Sequence, residues 1–418
     1  MNQNVKATAA TEWRNHATLP FAAMFGYSVS VIHIYGINPY IIPVTTEFGW
    51  SRGEFTGAFT FAILIQALLA VPVGMLVDRF GSRRLGLAGI IMVCLAFTTL
   101  GTSTGDLSNW YLLWGFITLV ALPVQATVWT SAVASRFTAS RGLAFAITLC
   151  GASLAQFAFP PLATWLIGAY GWKTAFMWHG LIWLAIVLPF VFFFFRGARD
   201  GKAAKDNGPE APAAVLDGIS FREGLRSTVY VRLLLASLFF TFTIVALNYQ
   251  FMPILSGWKI EATNAAWLAS LIGLASIAGR LVTGYLIDHF RASRVGALVF
   301  LLPVAAVLLL IYGYDYGPAP ALIAIMLGLT LGAEVDVIVY LTTRFFGLKN
   351  FGALYGGLLA ALSIGTATGP LVASVIYDRT ASYDQFFWLA IGLLLLSSLS
   401  LFSLPKPSPV DKGPNDDS

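Results

Sequence analysis

Twelve runs of apolar residues, each about twenty residues long, leave this chain few ways to fold. They fall near 19–44, 55–77, 85–104, 110–134, 142–167 and 174–195, and, after one polar stretch, near 231–255, 265–287, 295–312, 319–342, 352–377 and 385–404. The hydrocarbon core of a bilayer is about 30 Å thick, which a helix crosses in about 20 residues. A backbone in hydrocarbon must satisfy its own hydrogen bonds, so runs of this length are helices; barrel strands would be half as long and would alternate in polarity. Composition agrees. Hydrophobic residues make up 57% of 418 positions and charged residues 11%, where a soluble chain carries roughly a quarter charged. The expected fold class is an all-α membrane protein with twelve transmembrane helices.

The net charge of +5 does not point to nucleic acid, because the basic residues lie in short clusters between apolar runs rather than on one polar face. All but five of the 25 Lys and Arg residues fall on one side if the N-terminus is placed inside. Arg52, Lys173, Lys259 and Arg379 fall on the other side, and Arg280 falls within a run. The positive-inside rule then predicts a multi-pass protein of the cell (inner or plasma) membrane with both termini cytoplasmic. The first apolar run is too long for a cleaved signal and is expected to be the first span. Gly197–Ser220 carries Lys202, Lys205, Asp206, Pro209 and Pro212 among Ala and Gly, as a solvated linker does. The expected organisation is a six-helix half at 1–196, a cytoplasmic linker at 197–230 and a second half at 231–418. Cys94 and Cys150 sit inside apolar runs without metal-ligand spacing. No metal cluster, nucleophile elbow or phosphate loop occurs, so neither a cofactor nor an enzyme activity is expected.

The chain also repeats itself. At an offset of 210 residues Asn38 meets Asn248, Pro43 meets Pro253, Gly74 and Asp78 meet Gly284 and Asp288, Arg84 meets Arg294, Gly142 meets Gly352, Pro160 meets Pro370 and Trp178 meets Trp388. Matches at one offset across most of each half predict two pseudo-symmetric six-helix halves with substrate held between them.

At Gly74-Met-Leu-Val-Asp78-Arg79-Phe-Gly81-Ser-Arg83-Arg84 the sequence resembles the signature loop of the major facilitator superfamily, and Gly284-Tyr-Leu-Ile-Asp288-His289-Phe-Arg291-Ala-Ser-Arg294 is an eroded second copy. Glu47-Phe-Gly-Trp-Ser-Arg52, Arg141-Gly142 with Pro160-Pro161, Gly279-Arg280 and the stretch from Arg344 to Gly356 resemble the monocarboxylate porter and oxalate/formate antiporter branch. The resemblance implies the major facilitator fold and a carrier of small organic anions working by alternating access. It also implies that Asp78, Arg79, Arg84, Asp288 and Arg294 serve gating. Two departures matter. Ser276 stands where the animal monocarboxylate porters have a proton-coupling aspartate, and residues 352–377 lack the lysine that gives the oxalate antiporter its second cation.

A charge at the bilayer centre costs roughly 3 kcal/mol on insertion scales, so each one needs a partner or a purpose. Arg280 lies eight residues before Asp288, about 12 Å from the end of its helix. It is the expected anchor for a substrate carboxylate, against the alternative of a structural ion pair. Glu334 and Asp336 precede Arg344 by ten and eight residues and so reach a similar depth. Two residues apart on a helix, they point about 200° apart and cannot both face one cavity. One of them, or His33 in the first span, is a candidate for proton coupling; His33 reads more readily as a structural histidine. Tyr35, Asn38, Asn248 and Tyr249 are candidate substrate contacts near the prolines of the first and seventh spans. The expected function is secondary active transport of a small organic anion, a monocarboxylate, with or without protons, by a monomer in the lipid bilayer. The alternatives are a drug or metabolite exporter of the same superfamily and a transporter-like nutrient sensor.

Overall fold

The computed structural model describes residues 9–69, 81–137, 139–197, 219–314, 316–347 and 350–406, and every regular element among them is helical. In chain order these are α1 (Ala9–His16), α2 (Thr18–Ser30), α3 (Ile32–Phe48), α4 (Arg52–Leu68), α5 (Ser82–Thr102), α6 (Leu107–Ala134) and α7 (Arg141–Phe194), followed by α8 (Phe221–Arg226), α9 (Thr228–Tyr249), α10 (Phe251–Gly257), α11 (Ala262–His289), α12 (Ala292–Tyr312), α13 (Ala319–Phe346), α14 (Phe351–Thr380) and α15 (Asp384–Phe402).

Nine of these are long and apolar enough to cross a membrane, and ten if α2 and α3, bent by 53°, form one span. At about 1.5 Å per residue, the 54 residues of α7 far exceed one bilayer crossing. Gly171 resolves this: at φ 75° and ψ 160° it breaks the helix between the spans expected at 142–167 and 174–195. This backbone conformation is one that only glycine adopts without strain. The span expected at 55–77 begins in α4, which a Ser51–Glu54 capping box starts; its second part, with most of the signature loop, lies outside the described residues, as does most of the linker. The first span tightens to a 3-10 turn at Asn38–Tyr40, and the seventh breaks at Gln250 between α9 and α10. The two interruptions fall at repeat-equivalent places, each beside an asparagine and followed by a proline.

The described residues form two compact units. The first groups those of Met1–Pro209 with Tyr249–Leu274 and Pro370–Ser382; the second groups Glu210–Asn248, Ala275–Gly369 and Tyr383–Ser418. In unit 1, α7 packs on α2 and α5, and α4 on α6, around a core rich in aromatic rings that includes Trp110, Trp114, Trp129, Phe59 and Phe176. In unit 2, α12 packs on α13 and α15. Large apolar side chains such as Leu112, Trp165, Leu298 and Leu399 face outward, as expected where hydrocarbon is the solvent. Polar groups close the ends. Buried Glu12 of α1 accepts from the Ala139 and Ser140 amides at 2.9 and 3.1 Å and from the Ser140 hydroxyl at 3.0 Å, tying α1 to the start of α7. In unit 2 the linker end is marked by Ile219, whose amide donates to the Phe346 carbonyl at 3.2 Å.

Candidate functional site

Arg280 lies in α11 and Asp336 in α13, and glycine sets how near these helices come. A Cβ added at Gly279 would run into the Leu329 carbonyl oxygen, and one added at Gly332 into the Ser276 carbonyl oxygen. Small residues at such positions let helix backbones pack closely in hydrocarbon. The resulting approach brings Arg280 Nη1 to 3.0 Å from Asp336 Oδ1. The side chains keep 13% and 29% of their exposure, so the pair is partly shielded and not sealed. Removing one partner from such a shielded pair leaves the other uncompensated, at a cost approaching about 3–5 kcal/mol where burial is complete.

Glu334 goes elsewhere. It is buried and accepts a hydrogen bond from the hydroxyl of Thr241 in α9. Two acids two residues apart therefore serve opposite faces of α13, one turned to α11 and one to α9. Thr241, itself buried, escapes sequence reasoning: a threonine in an apolar run is ordinarily satisfied by its own helix, and this one also donates to the Ser237 carbonyl at 2.8 Å. The Gly328/Gly332 spacing was the available signal for close packing on α13.

The other candidates are dispersed. His33 in α3 is buried with its ring edge-on to Trp114 at 6.4 Å, and neither ring nitrogen has a hydrogen-bond partner among the described residues. Tyr35 is half-buried, and Asn38 is buried in the 3-10 turn of the first span. Asn248 is buried at the end of α9 in unit 2; the neighbouring Tyr249, in unit 1, packs on Phe59 at 4.8 Å between ring centroids. Arg84 and Arg294 are exposed in the first turns of α5 and α12. Asp78, Arg79 and the side chain of Asp288 lie outside the described residues. The structure thus brings Arg280 and Asp336 together in unit 2, with Glu334 on the opposite face of α13. His33, Tyr35, Asn38 and Tyr249 belong to unit 1. No group of three or more His, Cys, Asp or Glu side chains suited to a metal ion occurs among the described residues.

Against this geometry stand the likenesses to known proteins. The family profile described as Major Facilitator Superfamily matches residues 23–334 and 259–417. Monocarboxylate transporter 13 of Bos taurus is 27% identical over 383 residues, covering 87% of this chain and 86% of that protein. The 4-hydroxybenzoate transporter PcaK of Acinetobacter baylyi is 24% identical over 375 residues, covering 78% and 80%. Among solved structures, a bacterial homolog to the human lysosomal transporter Spinster, in an inward-facing, unoccupied conformation, superposes with a TM-score of 0.65 at 16% identity over 92% of this chain and 94% of that one. The human organic anion transporter MFSD10 superposes with a TM-score of 0.63 at 18% identity over 92% and 99%.

Proposed function

Because the chain belongs to the Major Facilitator Superfamily, a family of transporters and not enzymes, we propose that it is a secondary transporter of a small monocarboxylate and that Arg280 receives the substrate's carboxylate. The observation that carries the reading is the partly shielded Arg280–Asp336 pair at 3.0 Å, held where two membrane helices are drawn together by glycine. A planar guanidinium can exchange one carboxylate for another with its bidentate geometry intact. An incoming monocarboxylate would displace Asp336, and the displaced aspartate would then be free to take a proton. A dianion at the same place would bring a second charge into low dielectric with no second cation to meet it. The names of the relatives, one a monocarboxylate transporter and one a 4-hydroxybenzoate transporter, support the substrate class. In this reading the chain is a monomer of twelve spans in two six-helix halves, joined through a cytoplasmic linker, with both termini in the cytoplasm of a cell membrane. Tyr35, Asn38, Asn248 and Tyr249 are further substrate contacts, Glu334 and His33 are the other candidates for proton coupling, and Asp78, Arg79, Arg84, Asp288 and Arg294 are gating residues.

The test is substrate binding to purified protein over a panel of carboxylates. Arg280→Ala should bind a monocarboxylate more weakly by about 2–5 kcal/mol, and Arg280→Lys, which keeps the charge but loses the planar fork, should fall between it and the parent. Wild-type affinity in Arg280→Ala would sink the proposal. Transport of a dianion such as oxalate at the monocarboxylate rate would sink the choice of a monoanion.

A further inference from the structure

At the linker end of unit 2, helix α12 starts without an acidic or hydroxyl cap. Its N-cap residue is Arg291, which supplies no acceptor to the first turn. A helix start leaves backbone N–H groups pointing outward at the positive end of the helix dipole. Here that end opens into a cavity of about 170 Å³ whose lining includes Arg291, Ser293, Tyr340 and Arg344. That is several times the volume of about 30 Å³ that a water molecule takes up in the liquid.

Ser293 supplies an independent sign of a ligand. The residue is 3% exposed and lines this cavity, and its hydroxyl has no hydrogen-bond partner among the described residues. Arg291 Nε is likewise buried without a partner, while its Nη2 donates to the Leu404 carbonyl at 2.6 Å and so holds the guanidinium in place. Arg344 comes from the last turn of α13, its guanidinium carbon 5.9 Å from the Tyr340 ring centroid. No acidic residue lines the cavity among the described residues. Two arginines, a buried hydroxyl and a helix N-terminus therefore converge on one small space with no acidic side chain among the described residues to receive them. A buried donor left unmatched costs about 1–3 kcal/mol, so such a set is built around an acceptor.

We propose that this cavity is an oxyanion site of the phosphate class. A carboxylate offers two oxygens to this set of donors; a phosphoryl group offers three, with charge enough to engage both arginines. The two sources of that chemistry are the headgroup of an anionic phospholipid and free phosphate. Neither Arg280 nor Asp336 lines the cavity, and the proposal does not depend on the transport reading.

The experiment titrates the full purified chain in neutral detergent with phosphatidylglycerol, with phosphatidylcholine and with inorganic phosphate, following binding by native mass spectrometry and by thermal shift. Phosphatidylglycerol binding well above phosphatidylcholine assigns the site to a lipid headgroup; saturable binding of inorganic phosphate that competes with phosphatidylglycerol assigns it to the free ion. In either case Arg344→Gln should weaken binding about tenfold and Ser293→Ala a few-fold, in keeping with the loss of one charged and one neutral hydrogen bond. Arg222→Gln, which removes an equal charge from an exposed position of α8, should leave binding unchanged. The proposal is overturned if neither anion binds above the phosphatidylcholine level, or if Arg344→Gln and Ser293→Ala bind as the parent does. Because Arg344 is exposed, its replacement leaves the packed core intact and the comparison interpretable.

Discussion

Where α4 meets the Pro370–Ser382 segment of α14, unit 1 is held by polar groups that are in part exposed; where α7 meets α11, it is held by two buried hydrogen bonds and a close approach of backbones at a glycine. At the first seam Asp378 Oδ1 accepts from the Arg52 amide at 2.9 Å and Oδ2 from the Gly53 amide at 2.6 Å, so a carboxylate from one helix caps the start of another. The Arg52 guanidinium lies 3.6 Å from the Tyr377 ring centroid, the Thr56 and Ser374 hydroxyls are 2.9 Å apart, and the Gln250 amide donates to Ser374 Oγ at 2.6 Å. At the second seam Ser270 donates to the Phe157 carbonyl at 2.7 Å and the Gln156 amide to the Ala269 carbonyl at 3.4 Å. Between them Gly273 sits so tightly that a Cβ would lie 2.7 Å from the Ser153 carbonyl oxygen. Both seams join residues from the two sequence repeats, yet they resist different things. A polar seam with exposed members can open one hydrogen bond at a time with water as the substitute partner. The second seam has its hydrogen bonds buried away from water and its backbones touching at Gly273, and is intolerant of added volume.

The largest effect should follow from adding volume at the backbone seam. Gly273→Val places branched carbons against Ser153 and Phe157, and overpacking of this kind costs about 1–3 kcal/mol or more. The variant should melt well below the parent in detergent and lose transport. If Gly273→Val melts like the parent, the seam is not a close-packed one and the contrast between the two joints fails.

A smaller effect is expected at the polar seam. Asp378→Ala leaves two amides at the start of α4 without their acceptor and removes a negative charge from a helix N-terminus, a loss of about 1–2 kcal/mol. Asp378→Asn keeps one acceptor oxygen and should recover part of the loss. Added salt should narrow the gap between parent and Asp378→Ala in thermal melts, since an exposed charge is screened, while leaving Gly273→Val as it was. Equal salt dependence in both variants would show that charge does not distinguish the seams.

What the sequence made legible follows the same division. Most of the described helices could be read because hydrocarbon sets a length and a composition for a span; even the break at Gly171 falls between two expected runs. Arg280, Glu334 and Asp336 stood out because charge is rare in such runs, and counting from Asp288 and Arg344 set their depth. Partners could not be read. Nothing in the run around Thr241 shows that it meets Glu334, and Asp378, near the end of an apolar run, looks like an ordinary boundary residue until Arg52 and Gly53 are seen beside it. Uniformly apolar surfaces carry little information about which helix faces which, so specific pairings rest on a few small or polar residues whose mates lie on distant segments. His33 shows the other limit: its type suggested proton chemistry, while its place beside Trp114 was beyond any pattern in the chain.

The smallest effect, and the sharpest control, concerns a polar contact that stays within one repeat. Glu47, at the end of α3, accepts from Lys173 Nζ at 2.7 Å and from Trp172 Nε1 at 2.5 Å, which ties α3 to α7 just beyond Gly171. Its hydrogen bonds with Lys173 and Trp172 hold the Glu47 carboxyl below its ordinary value. A carboxyl depressed in the folded protein contributes stability that is fully present above its unfolded pKa and is lost as pH falls through the lower, folded one. Both side chains are about half exposed, so screening keeps the contribution small. Glu47→Gln should therefore melt slightly below the parent near neutral pH, by less than Asp378→Ala does, and the two curves should converge as the medium is acidified past the folded carboxyl's titration. Because the contact does not cross between repeats, the variant should leave the rate of transport at saturating substrate unchanged, whereas the two seam variants should alter it. A Glu47→Gln protein that slows transport as much as Asp378→Ala would show that polar contacts at this end act alike whether or not they join the repeats, and the difference between the seams would then lie in their chemistry alone and not in what they connect.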